Sequence, residues 1–163
     1  MHSNLSEKIF SFFHRFIEKK YHLKKLSNIL KDITLYKYPT VFDVGSNEGE
    51  SIDFFLNLFD NPKIYSFEPE TKSYQKLLNK YGKNKAINLF KFAFGNKKEE
   101  LKLKINVKSS TSTLSKINTK SKYYYLKSLI LNRSKNNIFL GEEKVKIKKI
   151  DDFFYQKKIK TIH

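Results

Sequence analysis

A chain of 163 residues with 39% apolar and 15% aromatic side chains can bury a core, so a single globular domain is expected rather than a disordered or fibrous chain. The absence of cysteine excludes disulfides and thiolate metal centres, and His2, His14, His22 and His163 show no ligand spacing, so no metal site is expected. The formal net charge of +17 is carried by lysine, with only Arg15 and Arg133 as arginines; phosphate forks and base readout favour arginine, which discounts nucleic acid as a partner.

The surplus of Lys, Asn, Ile, Phe and Tyr, with Ala86 and Ala93 as the only alanines, is the bias of coding sequence rich in A and T. No apolar run reaches the about 20 residues a bilayer span needs, and no signal-peptide pattern is present, so a cytoplasmic location is expected. Residues 5–33 carry Leu5, Ile9, Phe12, Phe16, Leu26, Ile33 and further apolar residues at helical spacing, with lysines between them. This predicts one or two amphipathic helices packed on the domain; a basic, phenylalanine-bearing face on an anionic membrane surface is the alternative. Pro39 closes the region, dividing an amino-terminal helical segment, 1–38, from a domain over 39–163.

The stretch from Val41 to Ser51, VFDVGSNEGES, reads as strand, tight turn and helix start. Gly45 allows a sharp turn with no Cβ in the way of a ligand, and Gly49 allows the next helix to start close against the strand. A dinucleotide fingerprint counted from Gly45 requires glycine where Asn47 and Glu50 stand, and the second glycine and lysine of a phosphate-binding P-loop are missing. An acid two residues before the first glycine, with a second glycine four residues later, resembles motif I of class I S-adenosylmethionine-dependent methyltransferases.

Downstream, the pattern predicts a helix from Ser51 to Phe59, a strand Lys63–Phe67 stopped by Glu68-Pro69, and a helix Thr71–Tyr81 with Gly82 at C′. An acid at the end of a second strand, about 20 residues after a glycine loop, is suited to accept from both hydroxyls of a ribose. A third strand is expected over Ile87–Phe92, ending in the small-residue turn Ala93-Phe94-Gly95. Strict alternation at Leu101, Leu103, Ile105 and Val107 predicts a half-buried strand paired antiparallel with Val145–Ile147. The polar stretch from Ser109 to Ser115 reads as a loop, and the Tyr- and Lys-rich segment up to Asn137 has no assignment. Asp151-Asp152 is expected to cap a short helix through Phe154, with another strand beginning at Ile159.

Taken in order, FDVGSNEGES, YSFEPE, FKFAFGN, a Ser/Thr-rich stretch ending in Leu114, and KKIDDFF resemble the successive blocks of the FkbM family of methyltransferases, over about residues 38–163. The resemblance implies an α/β fold: a partial Rossmann-like class I methyltransferase sheet with a β-hairpin insertion and an amino-terminal helical segment. It also implies S-adenosyl-L-methionine as cofactor and O-methylation of a hydroxyl on a sugar, glycan or small metabolite. Carried onto this chain, Asp43, Gly45, Asn47 and Gly49 line the methionine end of the cofactor, Glu68 holds the ribose, and Ala93 lies beside the adenine. The methionine ammonium wants an acid and its carboxylate wants helix N–H groups, which Asp43 and the helix starting near Glu50 can supply.

Ser46 and Glu48 receive no role, and no catalytic base is named. The family's next block would begin just after His163, so the chain is expected to be an amino-terminal part, inactive alone, with the apolar edge of Val41–Val44 open to association. The readings from other classes are a nucleotide-fold binding module without catalysis, and a basic nucleic-acid or membrane-surface protein.

Overall fold

The computed structural model describes residues 24–30, 38–107, 109–115, 117–130 and 139–159. Within the predicted amino-terminal helices only α1, residues 24–30, falls among them, and it is helical; the rest of that segment lies outside the described residues.

Three short strands, β1 (Thr40–Val44), β2 (Lys63–Phe67) and β3 (Ile87–Phe90), form a parallel sheet in the order β1-β2-β3. The register pairs Val41 with Ile64 and Ile64 with Ile87, so the branched apolar residues of all three strands line up on one face. That face is covered by α2 (Glu50–Leu58) and α3 (Thr71–Tyr81): Ile52, Leu77 and Tyr81 bury against Val41, Ile64 and Ile87. Alternation sends Phe42, Tyr65, Phe67 and Phe90 to the other face, where they pack with Phe92, Phe94 and Phe153 of α5 (Ile150–Lys157). Both faces are therefore dry, which is why β2 is buried from Ile64 to Phe67.

A second sheet has the order β4-β6-β5, built from β4 (Ala93–Phe94), β5 (Glu99–Asn106) and β6 (Phe139–Lys148). β5 and β6 run antiparallel with Leu101 opposite Val145 and Leu103 opposite Glu143, so the expected pairing holds, although β6 is far longer than the alternating core of Val145–Ile147 suggests. The molecule is thus an α/β protein with parallel and antiparallel strand pairs.

Several expectations are corrected. The single strand expected over Ile87–Phe92 ends at Phe90: Lys91 turns outward to Glu143 and Thr71, Phe92 sinks into the aromatic cluster, and Ala93–Phe94 joins the second sheet against Ile147 and Lys148. Gly82 ends α3 with φ −59, in the right-handed region, and not as a left-handed C′ glycine. Asp151 and Asp152 sit inside the first turn of α5 and make no side-chain cap, Lys149 being the N-cap residue; their charges favour the positive end of the helix instead. Of the strand expected over residues 159–163 the structure describes Ile159 alone, and that residue closes α5. Lys158 adopts φ 52, its N–H and that of Ile159 close on Tyr155 and Phe154 carbonyls in a Schellman turn, and Ile159 packs on the aromatic cluster. The residues after Ile159 lie outside the described ones.

In the Tyr- and Lys-rich stretch the structure forms α4 (Lys122–Ile130), started by Ser121, whose hydroxyl accepts from the Tyr124 N–H. The Ser/Thr stretch is anchored to β5: Ser109–Thr111 is a 3₁₀ turn, and Thr113 exchanges both backbone bonds with Lys104. Among the described residues, no helix is long and apolar enough to cross a membrane.

Candidate functional site

The carboxyl ends of β1 and β2 meet at the loop between Val44 and Glu50. Three of its residues take left-handed backbone angles, Gly45 at φ 86, Asn47 at φ 47 and Gly49 at φ 88, so the chain coils tightly from strand to helix. The loop is pinned to the neighbouring strand by the N–H groups of Gly45 and Ser46, which share the Phe67 carbonyl at 2.8 and 3.3 Å.

The two glycines are required for different reasons. A Cβ at Gly45 would meet nothing within 4 Å, so this residue faces open space beside the strand ends. A Cβ at Gly49 would lie 2.5 Å from a ring carbon of Tyr81 and 2.9 Å from Leu77. The expected close approach is therefore real, but its partner is α3 and not the strand. The Tyr81 hydroxyl lies 2.8 Å from the Gly49 carbonyl and 2.7 Å from Asp53, which ties the start of α2 to the end of α3. Burial, with the Asp53 bond adding to it, pushes the Tyr81 phenol above its ordinary pKa.

Glu68 closes the other side of the loop. Its side chain is buried, at 6% exposure, and its two oxygens accept from two backbone donors: Oε2 from Asn47 N–H at 2.8 Å and Oε1 from Glu70 N–H at 2.8 Å. Burial pushes its pKa above the usual carboxylate range, and the nearby Glu70 and Asp43 push the same way; the two N–H bonds oppose this without cancelling it. A carboxylate oxygen has two lone-pair directions, so each retains the capacity to accept a further hydrogen bond.

Asp43 points to the α2 side, where its Oδ2 accepts from the Ser51 hydroxyl at 2.7 Å. Beneath it runs a buried hydroxyl relay: Ser66 donates to Ser46 at 2.7 Å, and Ser46 donates to the Asp43 carbonyl at 2.9 Å. Comparison with protein-family models, curated proteins and solved structures finds no match. The geometry of the chain itself is therefore what bears on its chemistry.

Of the residues singled out from the sequence, Asp43, Gly45, Asn47, Gly49 and Glu68 are brought together around one loop. Ala93 is not among them: it lies in β4 of the second sheet, opposite Ile147, and packs toward Leu103 and Val145. Glu48 turns outward to Lys76 at 2.5 Å. Sequence reasoning missed Ser46, Ser51 and Ser66, which hold Asp43 and the loop in place. Ser66 carried a legible signal, being the one polar residue in KIYSF on the same strand face as the core residue Ile64. It missed Glu70 and Ser73 as well; the Ser73 hydroxyl lies 3.1 Å from a Glu70 oxygen and 3.3 Å from Asn47 Oδ1, bracing the loop from α3.

Proposed function

We propose that the Gly45–Gly49 loop and Glu68 bind S-adenosyl-L-methionine and that the protein belongs to a methyltransferase of Rossmann-like fold. The observation that carries this is the direct bond from the Asn47 N–H to the buried Glu68 carboxylate. It sets an acid at the end of the second strand against a left-handed glycine turn whose outer side is open at Gly45. The residues fit the cofactor's chemistry. Glu68 retains lone pairs for two ribose hydroxyls, Asp43 sits beside the first turn of α2 through its bond from Ser51, and the absent Cβ at Gly45 leaves room for the ligand.

When bound, that group supplies an electrophilic methyl. The chain's own part is to hold and orient it: Glu68 fixes the ribose end, and the braced loop keeps the first turn of α2 facing the methionine end. Alignment for in-line attack by an acceptor oxygen accounts for most of the acceleration in such a transfer. The acceptor class, a hydroxyl of a sugar, glycan or small metabolite, comes from the FkbM resemblance alone.

Calorimetric titration with S-adenosylhomocysteine tests the proposal. Gly45→Val should abolish binding while circular dichroism stays close to that of the parent, because its branched side chain would enter the open space and its φ would be strained. Glu68→Ala should weaken binding by about tenfold or more, the loss of charge-assisted bonds. Unchanged affinity in both variants would place any such ligand elsewhere.

A further inference from the structure

The second sheet touches the loop's support at a charged contact. Glu143, midway along β6, reaches across to the first residue of α3, where both its oxygens lie 3.1 Å from the Thr71 N–H and the Thr71 hydroxyl donates to Oε1. Lys91 joins from the strand side, 3.8 Å from Glu143 and 2.6 Å from the Thr71 hydroxyl. The contact spans a groove of about 560 Å³ lined by Thr71, Gln75, Asn79, Ile105 and Glu143, so it acts as a strut across a seam and not as part of a packed core.

Its position in the chain of bonds is what gives it consequence. The N–H groups that open a helix have no partner inside the helix, and here two consecutive ones are taken by two different carboxylates. The Glu70 N–H goes to Glu68 and the Thr71 N–H goes to Glu143. The orientation of the peptide between them is thus set from both sides, and Glu68 in turn holds Asn47.

We infer that Glu143 is a positioning residue: by holding Thr71 it registers the start of α3 on Glu68, and so keeps the glycine loop in its ligand-receiving shape. The second sheet is then part of the site's machinery, although none of its residues lies in the loop. For its consequence on ligand affinity, and only for that, this rests on the function proposed above.

The experiment is site-resolved amide hydrogen exchange on the full chain, comparing the parent with Glu143→Ala and Glu143→Gln. In Glu143→Ala the Asn47 and Glu70 amides should exchange about tenfold faster or more, while Asn84, bonded at the far end of α3, keeps its rate. Glu143→Gln retains an oxygen for the Thr71 N–H and should restore much of the protection, which also guards against an alanine variant that loses protection everywhere. Unchanged Asn47 exchange in Glu143→Ala, or a glutamine variant no better protected at Asn47 than a folded alanine variant, would overturn the inference. Titration with S-adenosylhomocysteine is read separately: Glu143→Ala should bind more weakly than the parent. A parent that does not bind at all counts against the proposed function, while the exchange result still decides the role of Glu143.

Discussion

The two sheets bury themselves in opposite ways. The parallel sheet is dry on both faces, with aliphatic residues under α2 and α3 and a cluster of aromatic rings under α5. The second sheet has one covered face, Leu103, Val145 and Ile147, while Lys102, Lys144 and Lys146 stand in solvent. The loop and Glu68 are mounted on the first, where strand ends cannot shift without disturbing packing on both sides. The second reaches the first through the Glu143 carboxylate on Thr71 and through Phe94, whose ring centroid lies 4.6 Å from that of Phe67.

The sharpest way to break that comparison is to remove one core side chain from each sheet. Phe67 is 1% exposed and has ring neighbours on every side, with Phe94 at 4.6 Å, Phe153 at 5.1 Å and Phe90 at 5.2 Å between centroids. Phe67→Ala should cost about 3 to 5 kcal/mol and lower the melting temperature by roughly 10 °C. Leu103→Ala, on the one-sided sheet, should cost about 2 kcal/mol, the low end for such a truncation, because the site can collapse toward solvent. Chemical denaturation measures both, and equal losses would mean the two sheets are equally load-sharing.

The same contrast explains how much was legible beforehand. The parallel-sheet half was read almost to the residue: KIYSF and the Thr71–Tyr81 helix fall where turn residues and periodicity place them. In the second sheet, alternation identified the pairing of Leu101 and Leu103 with β6, but not the length of β6, because Phe139–Glu143 has little alternation to read. FKFAF looks like one apolar run, yet the structure divides it: Lys91 bonds outward to Glu143 and Thr71, distant in sequence, and Ala93–Phe94 pairs with Ile147 and Lys148 of the second sheet. Glu68 was visible as a strand-end acid, yet its bond to Asn47 and the serine relay under Asp43 depend on tertiary approach that spacing cannot express.

Within the loop, the glycines sharpen the comparison on a smaller scale. Gly49→Ala should cost about 2 to 4 kcal/mol, a left-handed φ plus a clash with Tyr81 and Leu77, whereas Gly45→Ala should cost about 1 kcal/mol, the backbone strain alone. Denaturation midpoints of the two variants test this. If Gly45→Ala proved the costlier, the open space beside it would have to be filled.

A smaller effect is expected from the buried serines. Ser66→Ala removes the donor to Ser46 and should cost about 1 to 2 kcal/mol. Because the two hydroxyls share one relay, the Ser46→Ala/Ser66→Ala pair should cost less than the sum of the single changes, as a double-mutant cycle would reveal. Strict additivity would show that the relay is two independent bonds.

The smallest expected effect is a dependence on pH, and it too belongs to the dry sheet. Glu68 has a folded pKa raised by burial above the ordinary value of 4.5, so across the window between those two values the folded chain binds more protons at this site than the unfolded chain does. With the native state holding the extra proton, stability falls as pH rises through that window and levels off above the folded pKa. Glu68→Gln removes the titration. Its amide keeps one acceptor for the Asn47 and Glu70 N–H groups but turns an NH₂ toward the other, so at low pH the variant should be the less stable protein. As pH rises from below 4.5 the parent loses the contribution of the neutral acid and the variant does not, so the gap between them should narrow. Urea denaturation of both proteins at each pH reads this difference directly, since groups common to the two cancel. A gap that widens with pH would mean that the two backbone donors outweigh burial, and that Glu68 is held as a preferred carboxylate and not as a strained one.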